Sequence, residues 1–360
     1  MGKDKKRKNA ATMRRIKSIA AVLAASMIGV NTTGIVAAIV AYNSVFPRYE
    51  RPDYSLYPGM YDYSRYGDSL PRRELCFTSA QTALAAYYYP CEGAKGLVTL
   101  VHGFHAGADD YLPLAEALVN SGYAVFTYDS TGTYSSEGDS GVGMCQALID
   151  LDSALNFLKS DRELSSYPLY LVGHSLGGYA AASVLALHSE VKACALIAPM
   201  CSGAKVMIDM SVDRVGAVAY ATKPVFDLYQ RYLFGSFVDY DAIRGINSTD
   251  AHVLIVQGLS DEIITHDGHS VTARADEITN PNVEIIYTEG LRGGHDGVWH
   301  SDESCEYRRE LDEKLNALSE ERGRELTDSE KAEFYSTVDH RLYSEVDGEL
   351  VRMIVALFEK

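Results

Sequence analysis

Ser175 stands in Leu169-Tyr-Leu-Val-Gly-His-Ser-Leu-Gly-Gly-Tyr-Ala-Ala-Ala182, an apolar run entering a Gly-x-Ser-x-Gly turn and leaving through small residues. An unassisted serine hydroxyl is a poor nucleophile at neutral pH. It needs a general base, and the base needs an acid that fixes its tautomer and stabilises its cation. Past the apolar run Val253-Leu-Ile-Val-Gln257 come three acids, Asp261, Glu262 and Asp267. Beyond Val283-Glu-Ile-Ile-Tyr287 come two histidines, His295 in Leu291-Arg-Gly-Gly-His-Asp-Gly297, and His300. The chemistry within reach of such a set is acyl transfer on a serine. The chain has no Cys-x-x-Cys pair and no His/Cys cluster with zinc spacing, so the expectation is no metal and no cofactor.

Elements able to carry these residues are legible on both sides. A strand over Leu169–Val172 and a helix from Gly178 would make a nucleophile elbow, with Gly173 and Gly177 flanking Ser175 where side chains have almost no room. Glu74–Ser79 and Thr82–Tyr89 alternate as an antiparallel pair. Leu97–Val101, Tyr123–Tyr128, Val191–Ala198, Val253–Gln257 and Val283–Tyr287 are buried-strand runs. Helical stretches separate several of them, among them Tyr111–Ser121 and Met144–Lys159. Alternating strands and helices with near-continuous apolar strands predict a mostly parallel α/β sheet with helices on both faces.

In this order the motifs resemble the α/β-hydrolase superfamily, in the style of its monoacylglycerol lipase, lysophospholipase and serine aminopeptidase-like branch. The resemblance runs from about residue 74 to 300. It rests on His102-Gly-Phe104, Asp129 with its loop, Gly173-His-Ser-Leu-Gly-Gly178, Gln257-Gly-Leu-Ser-Asp261 and Gly293-Gly-His295. The loop Asp129-Ser-Thr-Gly-Thr-Tyr lacks the arginine of the familiar Asp-x-Arg-Gly-x-Gly pattern. The resemblance implies a triad of Ser175, Asp261 and His295 in that chain order, with Asp261 preferred by spacing over Glu262 and Asp267. It also implies an oxyanion hole from the backbone N–H groups of Phe104 and Leu176. His102 is expected to hold its loop by hydrogen bonds, and His174 to point away from the serine hydroxyl. The implied activity is hydrolysis of carboxylic esters, either lipid-like or small. Peptide cleavage by the same triad and a catalytically silent ligand-binding domain are the alternatives.

Charge and hydropathy set the remaining expectations. Residues 1–17 carry eight Lys/Arg and one acid, net +7, which leaves −23 for the rest of a chain whose total is −16. An acidic body excludes nucleic acid as an expected partner. Ile19–Tyr42 contains no charge over 24 residues, enough at about 1.5 Å each to cross a hydrocarbon core of roughly 30 Å. The reading is a basic cytoplasmic tail (1–17), a signal-anchor helix (18–43), a loosely packed Tyr- and Pro-rich juxtamembrane linker (44–73), and an extracytoplasmic hydrolase domain (74–360). The alternative is secretion after signal cleavage near Val36-Ala-Ala38. Within the domain, residues 199–250 are expected to form a Met- and aromatic-rich lid over the site, and 301–338 a charged helical segment. Cys76 and Cys91 flank the first hairpin and would be free to pair in an oxidising compartment.

Overall fold

The computed structural model describes residues 32–360. A helix over residues 32–44 (α1) is followed by one eight-stranded sheet, ordered β1-β2-β4-β3-β5-β6-β7-β8. The strands are β1 (Arg73–Ser79), β2 (Thr82–Tyr89), β3 (Leu97–Val101), β4 (Ala124–Tyr128), β5 (Leu169–His174), β6 (Val191–Ile197), β7 (His252–Gly258) and β8 (Val283–Thr288). β1 and β2 pair antiparallel with each other, and β2 pairs antiparallel with β4; β3 to β8 are all parallel. β3, β4 and β5 are buried at every position, which explains why they read as unbroken apolar runs rather than alternating ones.

Two core layers cover the sheet. One holds α3 (Gln146–Ser160) and α4 (Leu176–Val184) against Leu97, Val101, Leu171 and Leu196. The other holds α2 (Leu112–Asn120) and the closing helix α11 (Gly348–Phe358) against Val98, Leu100, Val172 and Ala195. Alternate residues of one strand thus feed opposite layers, as the two-residue period of a strand requires.

The segment expected to be a loose linker is part of this second layer. Met60, Tyr66 and Leu70 are buried in it. Three arginines tie the same segment down. Arg48 donates to the backbone carbonyls of Ser136, Gly138 and Tyr134 at 2.9, 2.9 and 2.6 Å. Arg51 forms an ion pair with Asp109 and lies 3.7 Å from Asp129. Arg72 reaches Asp109 at 2.8 Å. The arginine missing from the Asp129 loop is therefore replaced by one arriving from residue 51. Burying two carboxylates needs compensating charge, and the linker supplies it.

Cys76 lies opposite Ala85 in the hairpin register, while the Cys91 Sγ approaches the Val119 carbonyl beyond the end of β2; both are free thiols. Residues 1–31, which hold the basic tail and most of the expected membrane segment, lie outside the described residues. Among the described residues no helix is long and apolar enough to cross a membrane. In α1, Tyr42 is buried against Phe46, Phe226 and Tyr229, whereas Ile35, Val36 and Val40 are exposed.

The arginine clamp yields a direct expectation. Arg51→Met leaves Asp109 with Arg72 alone and strips the cation from Asp129. Because the Arg51 side chain is about one third exposed, the loss should fall below the usual 3–5 kcal/mol for a broken buried pair, at about 2 kcal/mol. Urea unfolding of the two proteins measures it; a loss under about 0.5 kcal/mol would rule out a structural role for the clamp.

Candidate active site

The elbow is built as its glycines demand. Ser175 caps α4 with φ +56° and ψ −116°, a conformation that L-residues rarely adopt. A Cβ at Gly173 would run into the Gly177 carbonyl, and one at Gly177 into the Val101 carbonyl. The turn is therefore forced by backbone contact between β5, α4 and β3. At the start of α4 the N–H of Leu176 has no intrahelical acceptor. Neither it nor the Phe104 N–H has an acceptor among the described residues, so both stay free to bind an oxyanion.

The strands deliver the other groups to the same end of the sheet. Asp261 follows β7, and His295 follows β8. His295 Nδ1 lies 2.8 Å from Asp261 Oδ2. Asp261 Oδ1 accepts from the N–H groups of Ile263 (2.9 Å) and Ile264 (2.7 Å), and Oδ2 accepts from the Gln257 amide at 3.1 Å. Burial pushes this carboxyl up, but the His295 hydrogen bond and charge, with the two N–H donors, outweigh it and hold the pKa below the usual range. Asp261 is thus kept ionised where an imidazolium would form. Glu262 and Asp267 are exposed and make no bond to His295. His300 is buried, with Nδ1 3.2 Å from the Glu345 carbonyl and no carboxylate partner, so it lacks the acid a general base requires.

His174 lines the cavity beside His295, ring centroids 4.8 Å apart, and both its ring nitrogens are engaged away from the serine hydroxyl. The Tyr111 hydroxyl accepts from the Gly103 N–H at 3.0 Å, so its own proton goes to His174 Nδ1 at 2.7 Å. His174 Nε2–H then donates to the His295 carbonyl at 3.3 Å. The chain of bonds joins the Phe104 loop, the elbow and the His295 loop, and with His174 neutral every hydrogen in it has an acceptor. His102 behaves as expected: its Nε2 accepts from the Ser130 N–H at 3.1 Å, and its Nδ1–H faces the Gly103 carbonyl at 2.8 Å.

Ser175, Phe104, His174 and His295 all line one cavity of about 420 Å³. Its roof is rich in tyrosine. Tyr49, Tyr54, Tyr57 and Tyr61, all from the linker, line it; among the described residues none of 199–250 does. The helices of that insertion, α5 (Gly203–Val215), α6 (Lys223–Phe234) and α7 (Ala242–Asn247), pack instead against α4 and the Tyr42 end of α1. Periodicity could not reveal the roof, because irregular Tyr-rich chain carries no pattern; its tyrosine density was the only signal. His174, His295 and Asp296 are the described residues grouped closely enough to hold a cation. Yet both His174 nitrogens and His295 Nδ1 already have partners, so the cluster is a hydrogen-bond network.

Neutral His174 carries a pH signature. Burial first, and the His295 charge second, push its pKa from 6.5 down to about 4. The unfolded chain takes up that proton earlier as pH falls, so this group's stability contribution is full above about 6.5 and is lost toward about 4. Half-buried Asp110 and buried Asp129, both raised by desolvation, act with the opposite sign but are common to wild type and variant. Urea unfolding at pH 7 and pH 5 should therefore show a larger loss in wild type than in His174→Gln; equal losses would contradict a neutral buried His174.

Comparisons with known proteins agree with this geometry. Residues 92–250 match the family described as serine aminopeptidase, S33. An esterase of Pyrococcus furiosus is similar in fold in two crystal forms. One has 18% identity and a TM-score of 0.51, covering 71% of this chain and 93% of the esterase. The other has 17% identity and a TM-score of 0.51, covering 72% and 94%. No curated protein matches the chain. The eight-stranded, mostly parallel sheet with its sharp turn at Ser175 is an α/β-hydrolase fold, and residues 92–250 carry the family match within it.

Proposed function

We propose that the protein is a serine hydrolase that cleaves carboxylic esters through an acyl-enzyme on Ser175. The observation that carries this reading is the 2.8 Å bond from His295 to an ionised, buried Asp261, on a cavity wall shared with a strained Ser175. His295 Nε2 takes the Ser175 proton as Oγ attacks the ester carbonyl. The N–H groups of Phe104 and Leu176 bind the developing oxyanion. Collapse breaks the C–O bond to the alcohol, which leaves with the proton from His295. A water, deprotonated by the same imidazole, attacks the acyl-enzyme and releases the acid. Asp261 stays ionised and stabilises the imidazolium. A cavity of about 420 Å³ lies at the small end of ligand sites and favours short acyl groups over long lipid chains.

Peptide cleavage is the second reading, favoured by the match of residues 92–250 to a serine aminopeptidase family. Assays on p-nitrophenyl esters and aminoacyl p-nitroanilides discriminate: esters should be turned over faster, and faster amide turnover reverses the choice. A fluorophosphonate should label Ser175, and Ser175→Ala or His295→Ala should lower ester turnover by about 10⁵–10⁶. Losses below about tenfold in both variants would exclude the triad.

We further propose that residues 18–43 anchor the chain, with the hydrolase domain outside the cytoplasm. The support is an uncharged stretch of 24 residues behind eight Lys/Arg, with Ile35, Val36 and Val40 still exposed at its described end. Protease added to intact cells should digest the domain. Complete protection of the domain, or its release as a soluble cleaved form, counts against the anchor.

A further inference from the structure

Arg308 is the unexplained cation of the catalytic cavity. It comes from α8 (Asp302–Arg322), in the charged segment to which the catalytic steps assign no role, yet it lines the same cavity as Ser175 and His295. Its Nε donates to the Tyr343 carbonyl at 2.8 Å, and one terminal nitrogen donates to the Tyr61 hydroxyl at 3.1 Å. The guanidinium lies over the Tyr343 ring, 4.1 Å from its centroid. These contacts orient the group without neutralising it. Among the described residues no carboxylate forms an ion pair with Arg308, and its other terminal nitrogen has no acceptor. The other arginines drawn into this part of the molecule, Arg51 and Arg72, each have a carboxylate partner.

Asp296 and Asp312 lie near enough to act on this charge without closing an ion pair with it, and a half-buried guanidinium not directly paired is costly unless something completes it. A second donor in the cavity wall is also unfulfilled: the indole N–H of buried Trp299 has no partner. His300, beside them, is kept neutral by burial and by the Arg308 charge, so it adds no competing cation. Asp110 and Asp296 line the same cavity. Their presence favours a singly charged carboxylate over a phosphate dianion.

We infer that Arg308 is a specificity residue that receives a free carboxylate on the substrate, so that the preferred ester carries an acid group a few bonds from the scissile carbonyl. This rests on the serine-hydrolase reading of the site. The pairing would join the guanidinium's free edge to the substrate while Tyr61 and Tyr343 hold it in place. It would also give the tyrosine-rich roof a purpose, since Tyr61 both closes the cavity and holds the arginine.

The test compares p-nitrophenyl half-esters of succinic, glutaric and adipic acids with their methyl-capped forms, and 3-acetoxybenzoate with its methyl ester. In at least one pair kcat/KM should favour the free acid at least tenfold. That ratio should fall close to one in Arg308→Met and be partly kept in Arg308→Lys; a purely structural residue would lower both members of a pair alike. No preference in any pair, or one that survives Arg308→Met, overturns the inference. If none of the esters is hydrolysed and fluorophosphonate leaves Ser175 unlabelled, the hydrolase reading fails by itself. Calorimetric binding of glutarate to the full chain then decides for Arg308: binding weakened at least tenfold in Arg308→Met supports it, and no binding overturns it.

Discussion

The hydrogen-bond chain from Gly103 through Tyr111 and His174 to the His295 carbonyl is the constraint on which the site depends. Each link fixes the direction of the next. The Gly103 N–H makes the Tyr111 oxygen an acceptor, which sends the tyrosine proton to His174 and leaves the opposite ring nitrogen as a donor. Three loops from three strand ends are thereby held in one register: the one bearing Phe104, the elbow bearing Ser175, and the one bearing His295. In a buried site such a network is stiff because any broken link strands a polar group without solvent. His174 is accordingly a positioning residue, and burial keeps it neutral.

The N-terminal segment solves a different problem. Asp109 and Asp129 lie buried and Asp110 half-buried beside the cavity, and carboxylates withdrawn from water need donors and counter-charge. Backbone N–H groups supply part of this: Ala108 and Ser135 donate to Asp129, and Gly107 to Asp110. The cations come from Arg51 and Arg72, and Tyr54 and Tyr134 donate to Asp110. Once these bonds form, the chain between them must cross the mouth of the site, and its tyrosines become the roof. The segment that screens the acids is the one that shapes the cavity. This links the stability of the domain to the shape of its substrate pocket.

The elbow, the strand order of elements and the Asp261–His295 pair were legible beforehand, because each is encoded locally. Five residues contain the whole steric argument for Ser175. Apolar runs announce buried strands. An acid and a histidine at the ends of the last two strands are carried to one edge by parallel topology alone. The contacts of His174 with residues 111 and 295 were not legible, because they join side chains far apart in the chain. The cavity wall was not legible in residues 199–250, because aromatic content there fits an insertion packed on α4 and α1 as well as it fits a lid.

From sequence alone came the turn at Ser175, the candidate acid and histidine, and the fold, since these follow from backbone sterics, hydrophobic period and motif order. Only tertiary structure decided what surrounds them. Arg48 meets its partners up to 90 positions away, and Arg308 meets Tyr61 across 247. Arginine and tyrosine serve equally well at a solvated surface, in a buried clamp or on a cavity wall. Their types carry no address, and only the packed chain assigns one.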